Sequence, residues 1–184
     1  MADASAEAAD AGEGEGASYS GVLSAVPYAF RASDSRAFQS YVVIGGLITA
    51  LVALGFVSAV IVLMSSQNTG GAGGGTFTFS RAFFILVGLL VVGPLLAPIL
   101  LVARRHRRTG STVRYDRTIA ATGYLFVLSL YVALLISAPP QYRDPPTGAL
   151  APLICFLYGL PPALGILAPV LAAGVLLAVH RRLG

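Results

Sequence analysis

The stretch RRHRRTGSTVRYDR, Arg104 to Arg117, packs six arginines and one histidine into fourteen residues. Guanidinium groups at that density recognise phosphates, whether in nucleic acid, a nucleotide or a lipid headgroup. The flanks narrow the choice. Ala82 to Ala103 and Thr118 to Ala138 are apolar runs on either side, so this loop is anchored in lipid at both ends. It has neither a groove-reading element nor an aromatic stacking platform, and it cannot lie along a duplex. No nucleic-acid partner is expected. The primary role is to hold the loop on the inner side of a membrane. The functional role that remains is anionic-lipid contact by Arg104, Arg105, Arg107 and Arg108, worth about 1 kcal/mol per arginine. Arg114 and Arg117 flank Asp116 and are expected to pair with it.

The other residues with chemical capacity are sparse. His106 and His180 each stand beside arginines at the end of an apolar run, where a solvated or headgroup-level imidazole is expected. No cluster has metal-ligand spacing. The one cysteine, Cys155, lies in an apolar stretch and excludes an internal disulfide. GGAGGGT, Gly70 to Thr76, lacks the Gly-Lys-Ser/Thr of a phosphate loop, because the chain has no lysine. It reads as a flexible outer loop. There is no Gly-x-Ser-x-Gly. Arg143 and Asp144 are adjacent in PPQYRDPP and read as a solvated turn. No catalytic, cofactor-binding or metal-binding residue is expected.

One polar arrangement remains. Pro94 and Pro98 stand four apart in mid-run, and each removes a backbone donor, freeing the carbonyls of Leu90 and Pro94. In lipid such carbonyls need partners. Thr118, Thr122 and Ser129 share one helical face of the next run and could supply them, with Tyr124 and Tyr131 on nearly the opposite face. One reading is a kinked, polar-lined path with Pro94 and Pro98 as hinge and Thr122 and Ser129 as lining. The plainer reading, and the preferred one, is helix packing, since prolines are tolerated there and hydroxyls join helices.

The elements that must position these residues follow from composition. The 184-residue chain is 56% hydrophobic and 11% charged, with mean hydropathy +0.79. A soluble domain carries about 25% charged residues, so a membrane class is indicated. All twelve basic residues are arginine. The first forty residues carry a net −4 and the remainder +8. Residues 1–20 read as a disordered acidic tail and 21–40 as a juxtamembrane interfacial segment. In the latter, Val22, Val26 and Phe30 repeat at four-residue spacing, the pattern of an inner-surface amphipathic helix. Pro27 argues against it, and Asp34 could instead cap a helix running into the first span.

Residues 41–184 read as an all-α polytopic membrane domain of four transmembrane helices, at about 41–64, 82–103, 118–138 and 162–179. None of these spans contains an acidic, basic or histidine side chain, so the residues a proton pump or ion carrier needs are missing. The last apolar stretch, Leu150 to Val179, is too long for one span and too short for two. A break at Gly159-Leu160-Pro161-Pro162 is favoured, giving a short re-entrant or interfacial half-helix before the last span. One long helix kinked at the prolines is the other solution. Small residues spaced by four, Gly46 and Ala50 or Gly174 and Ala178, permit close helix contacts within the bundle or in a homo-oligomer. With both termini inside, ten arginines fall on the inner side and Arg81 and Arg143 on the outer.

The stretches SAVPYAFRASDSRAF, LLAPILLVARRHRR and YDRTIAATGYLFVLSLYVALLISAP resemble a small uncharacterised multi-pass membrane protein family of haloarchaea. The resemblance runs from about Ser20 to the C-terminus. It implies four spans and a cell-membrane location, and no activity. The expected function is a non-enzymatic membrane interaction or scaffold protein, or a small accessory subunit, working with the bilayer, anionic headgroups, or a protein partner or second copy. A small-solute permease or channel component is the alternative, and an integral membrane enzyme ranks last.

Overall fold

A computed structural model describes residues 21–65 and 74–183. The acidic tail and most of the glycine-rich loop lie outside them. The described residues form six α-helices: α1 (Val22–Ala32), α2 (Arg36–Ser65), α3 (Gly74–Arg108), α4 (Val113–Ser137), α5 (Ala151–Tyr158) and α6 (Leu167–Leu183). Four helical segments are long and apolar enough to cross a membrane: Arg36–Ser65, Ala82–Arg108, Val113–Ser137 and Pro162–Leu183. These match the four expected spans. They run past the apolar stretches because a helix needs continued backbone bonding, not continued apolarity, and arginine stems can reach outward from a helix end. Gly74 to Thr76, expected in a loop, form the first turn of α3.

Local chemistry explains the starts and stops. Ser35, not Asp34, stands at the head of α2: its hydroxyl accepts from Phe38 N at 3.4 Å and its carbonyl from Gln39 N at 2.9 Å. α3 ends at Arg108, and Gly110, two residues on, turns the chain with a φ of 75°, the left-handed conformation that glycine supplies without strain. Thr112 caps α4 by accepting from Tyr115 N at 3.3 Å. The last span is broken as favoured. α5 ends at Gly159, and Pro161 is followed by a 3-10 turn over Pro162–Ile166 before α6. Arg143 ties this connection together, donating to the carbonyls of Ala138 at 2.9 Å and Tyr158 at 2.8 Å. It is a loop clasp, not the solvated turn expected.

α4 is the central helix, packed against α2, α3, α5 and α6. α1 packs on α3 and α2. Its buried face is Ala25 and Ala29, while Phe30 is 40% exposed. Val26 is half-buried beside them, so of the Val22, Val26 and Phe30 spacing it is Phe30 that is left on the outer surface. On α1 the small residues sit where the helices touch, which lets the backbones approach closely.

The principal core sits at the arginine-bearing end. Phe38, Tyr41, Ile99, Val102, Tyr115 and Ile119 are among its members. Tyr41 joins three helices there. Its ring lies so close to Gly123 that a Cβ on Gly123 would sit 2.4 Å from the Tyr41 Cζ atom, and its hydroxyl donates to the Leu95 carbonyl at 2.7 Å. A smaller cluster of Leu95, Phe126 and Ala172 lies farther along. Beyond it α2 and α3 meet where Phe56 lies on Gly88, and from Leu51 to Ser65 no residue of α2 is buried.

Candidate functional site

The groups that could do chemistry converge on the first turn of α4. Asp116 is 1% exposed. A buried carboxylate is costly unless its oxygens are satisfied. Here Ser33 Oγ donates to Oδ2 at 2.5 Å, Ser111 Oγ donates to Oδ1 at 2.6 Å, and His106 Nε2 lies 2.9 Å from Oδ2. The first turn of α4 adds the positive end of the helix dipole. Three segments contribute: the α1–α2 corner gives Ser33, the end of α3 gives His106, and the α3–α4 turn gives Ser111. The corner is held in turn by Gln39 Nε2, which donates to the Ser33 carbonyl at 2.9 Å.

The neighbouring residue, Tyr115, faces the other way. Its hydroxyl pairs with His180 Nδ1 on α6 at 2.8 Å. The Arg105 guanidinium lies over its ring, 4.1 Å from the centroid, and Arg105 Nη1 donates to the Leu183 carbonyl. Arg105 Nε is buried without a hydrogen-bond partner, a cost that the cation–π contact offsets in part. Two successive residues of α4 thus bind opposite neighbours, α1–α2 through Asp116 and α6 through Tyr115.

What the arrangement can do chemically is limited by where its protons point. A serine nucleophile needs its hydroxyl on the imidazole of its base. Ser33 and Ser111 place theirs on the carboxylate instead. Among the described residues no three acidic, histidine or cysteine side chains are grouped to hold a metal ion. The arrangement is a cross-brace: it satisfies a buried charge by tying three helix ends together.

Over residues 1–184 the sequence matches a family described as Domain of unknown function (DUF8056). The chain belongs to DUF8056. No curated protein and no solved structure matches it.

In this DUF8056 chain the sequence-selected residues fall into separate groups. Arg104, Arg107 and Arg108 are exposed at the end of α3, whereas Arg105 is half-buried against Tyr115 and Leu183. Arg114 and Arg117 are exposed, and the Asp116 oxygens are taken by Ser33, Ser111 and His106. Pro98 is buried and Pro94 half-buried in a continuous α3. The hydroxyl that reaches this stretch is Tyr41's, from α2. Thr122 Oγ1 donates to the Ile119 carbonyl at 2.7 Å and Ser129 Oγ to the Phe126 carbonyl at 2.6 Å, both within α4. Thr118 likewise returns to the Arg114 carbonyl at 2.7 Å. Ser129 borders a groove of about 290 Å³ between α4 and α6, whose other lining residues, Leu125, Leu128 and Leu171 among them, are apolar.

Sequence reasoning missed Ser33, Asp116 and the Tyr115–His180 pair. One signal was available. His106 and Asp116 each stand five residues from Ser111, which an antiparallel helix hairpin brings face to face. Ser33 carried none, being 83 residues from its partner.

Proposed function

We propose that this chain is a non-enzymatic membrane protein, an interaction or scaffold subunit whose outward α2 and α3 surfaces contact other helices within a cell membrane. The supporting observation is the contrast between α2 and α4. The most apolar window of α2 is 6% buried, against 39% for α4. Along it Leu47, Leu51, Leu54 and Ile61 are all about 60% exposed. Polar groups in the bundle satisfy the fold itself, as Asp116, Thr122 and Ser129 do. The small-solute permease reading depended on Thr122 and Ser129 as a polar lining, and it gains nothing from hydroxyls bonded to their own helix.

The reading places both termini on the cytoplasmic side, with the bilayer and anionic headgroups as partners and no nucleic acid. Arginine without lysine supports a haloarchaeal or other high-GC source. The test is cross-linking in intact membranes from single cysteines at Leu54 and Ile61, in a Cys155→Ser background. A discrete adduct, either a dimer of this chain or one defined partner, is expected. A chain that stays monomeric from both positions sinks the interaction reading.

A further inference from the structure

Ten arginines stand at one end of the bundle: Arg31, Arg36, the six from Arg104 to Arg117, and Arg181 and Arg182. The described acids at that end are Asp34 and Asp116. Asp116 is inside the protein and its oxygens are engaged by Ser33, Ser111 and His106, so its charge is withdrawn from the surface. The surface charge is therefore more positive than the sequence, with Asp116 between Arg114 and Arg117, implies.

The arginines are not equivalent. Arg105 is spent on the fold, joining α3 to the Leu183 carbonyl at the end of α6 and covering Tyr115. That contact spans from the end of α3 to the end of α6. Arg104 and Arg108 lie one helical turn apart, on the same side of Arg105, and are exposed. Arg181 and Arg182 are exposed on the last turn of α6. Below them on α6, Leu177 lies one turn before Arg181 and Val175 two turns before Arg182, and both are exposed. One helix thus offers an acyl chain and a headgroup their surfaces in the right order.

We propose that Arg104, Arg108, Arg181 and Arg182 form a binding site for the phosphate of an anionic lipid headgroup, where the Arg105 side chain bridges the ends of α3 and α6. Guanidinium groups match phosphate oxygens in geometry as well as charge. The apolar surface directly below them selects a lipid over a soluble phosphate. The inference rests only on the chain being membrane-embedded and not on helix-mediated partners, so it is tested on the isolated protein.

The full chain is purified in a neutral detergent, and its thermal midpoint is measured with added phosphatidylglycerol, phosphatidylcholine or inorganic phosphate. Phosphatidylglycerol is expected to raise the midpoint by several degrees and the other two to leave it unchanged. Arg104→Gln/Arg108→Gln and Arg181→Gln/Arg182→Gln each lose most of that rise while keeping the midpoint seen in phosphatidylcholine. Arg105→Gln does the opposite: its midpoint falls in every condition, and the rise with phosphatidylglycerol survives. Should a paired variant fail to fold, phosphatidylglycerol retained by the wild-type chain through detergent exchange, read by native mass spectrometry against phosphatidylcholine, decides the matter. Equal effects of the two lipids, an equal effect of inorganic phosphate, or a full rise in both paired variants overturns the proposal.

Discussion

At the scale of single residues, Asp116 is a buried carboxylate met by three side chains, Ser33, Ser111 and His106. Hydrogen bonds to a charged group contribute about 1.5–3 kcal/mol each, and removing one member of a buried charged set costs about 3–5 kcal/mol. Asp116→Ala is therefore expected to destabilise the chain by about 3 kcal/mol, and Ser33→Ala by about 1.5 kcal/mol. Because Ser33 donates to Asp116 at 2.5 Å, the two changes must not add. A double-mutant cycle by unfolding in mixed detergent should give a coupling of at least about 1 kcal/mol. Additive effects would show that the Ser33 hydroxyl finds its stabilisation elsewhere. Gly123 makes a second residue-scale prediction. A Cβ there would meet the Tyr41 ring at 2.4 Å, and that ring is pinned by its hydroxyl on Leu95, so it cannot simply turn away. Gly123→Ala should cost about 1–3 kcal/mol, as overpacking of a tight core does. Combining it with Tyr41→Ala should recover part of the loss from the clash, and a combined variant worse than the sum of both would contradict a steric cause. The Ser33–Asp116 and Tyr41–Gly123 contacts were not legible in advance, and only the His106–Asp116 pairing across the hairpin left a signal. Asp116 between two arginines reads as a surface ion pair, and only the fold brings Ser33 to it.

At the scale of elements, the sequence marks the spans well because charge is excluded from them. It marks their contacts poorly, because the rule for which face turns inward differs from that of a soluble helix. α1 shows the difference. Its large residues repeat at helical spacing, yet Ala25 and Ala29 are fully buried, Val26 is half-buried beside them and Phe30 is exposed. Water drives large apolar groups inward in a soluble protein. Next to lipid that drive is absent, and close backbone approach decides instead. The two rules predict opposite mutant behaviour. Ala29→Leu should overpack the α1–α3 contact and cost about 1–3 kcal/mol. Phe30→Ala should cost less than about 0.5 kcal/mol, as an exposed substitution does. Hydrogen exchange over Val22 to Ala32 in micelles reads both: faster exchange is expected for the first variant and unchanged exchange for the second. The reverse order would show that Phe30, not Ala29, anchors α1 to the bundle. The break before α6 was legible for a different reason. Proline chemistry is local, and Gly159 to Pro162 needed no knowledge of the fold.

At the scale of the whole molecule, the structure puts all ten inner-assigned arginines at one end, because α2 and α4 begin there and α3 and α6 finish there. Geometry makes the ends different; only the insertion rule says which faces the cytoplasm. Burial of Asp116 does not weaken the rule, since acidic residues count little in it and the arginines that count stay at the surface. The arginine end should therefore be cytoplasmic. Cysteine labelling tests this, with sites chosen from the structure. Ser111 sits in the middle of the loop but bonds Asp116, so a cysteine there would disturb the brace. Thr109 is exposed in the same loop, and Gln141 is exposed in the connection between α4 and α5. Cys155 is itself exposed and must be replaced by serine first. In right-side-out vesicles an impermeant maleimide should label Gln141→Cys at once and Thr109→Cys only after the membrane is opened. Changing the loop arginines Arg104, Arg107, Arg108 and Arg114 to glutamine, with Arg105 kept to hold α6, should produce a population in which Thr109→Cys labels from outside. Those four are the largest single contribution to the asymmetry, and removing them leaves six arginines against two. Outside labelling of Thr109→Cys in the wild-type arginine background, with Gln141→Cys protected, would invert the topology and show that something other than the arginines directs insertion.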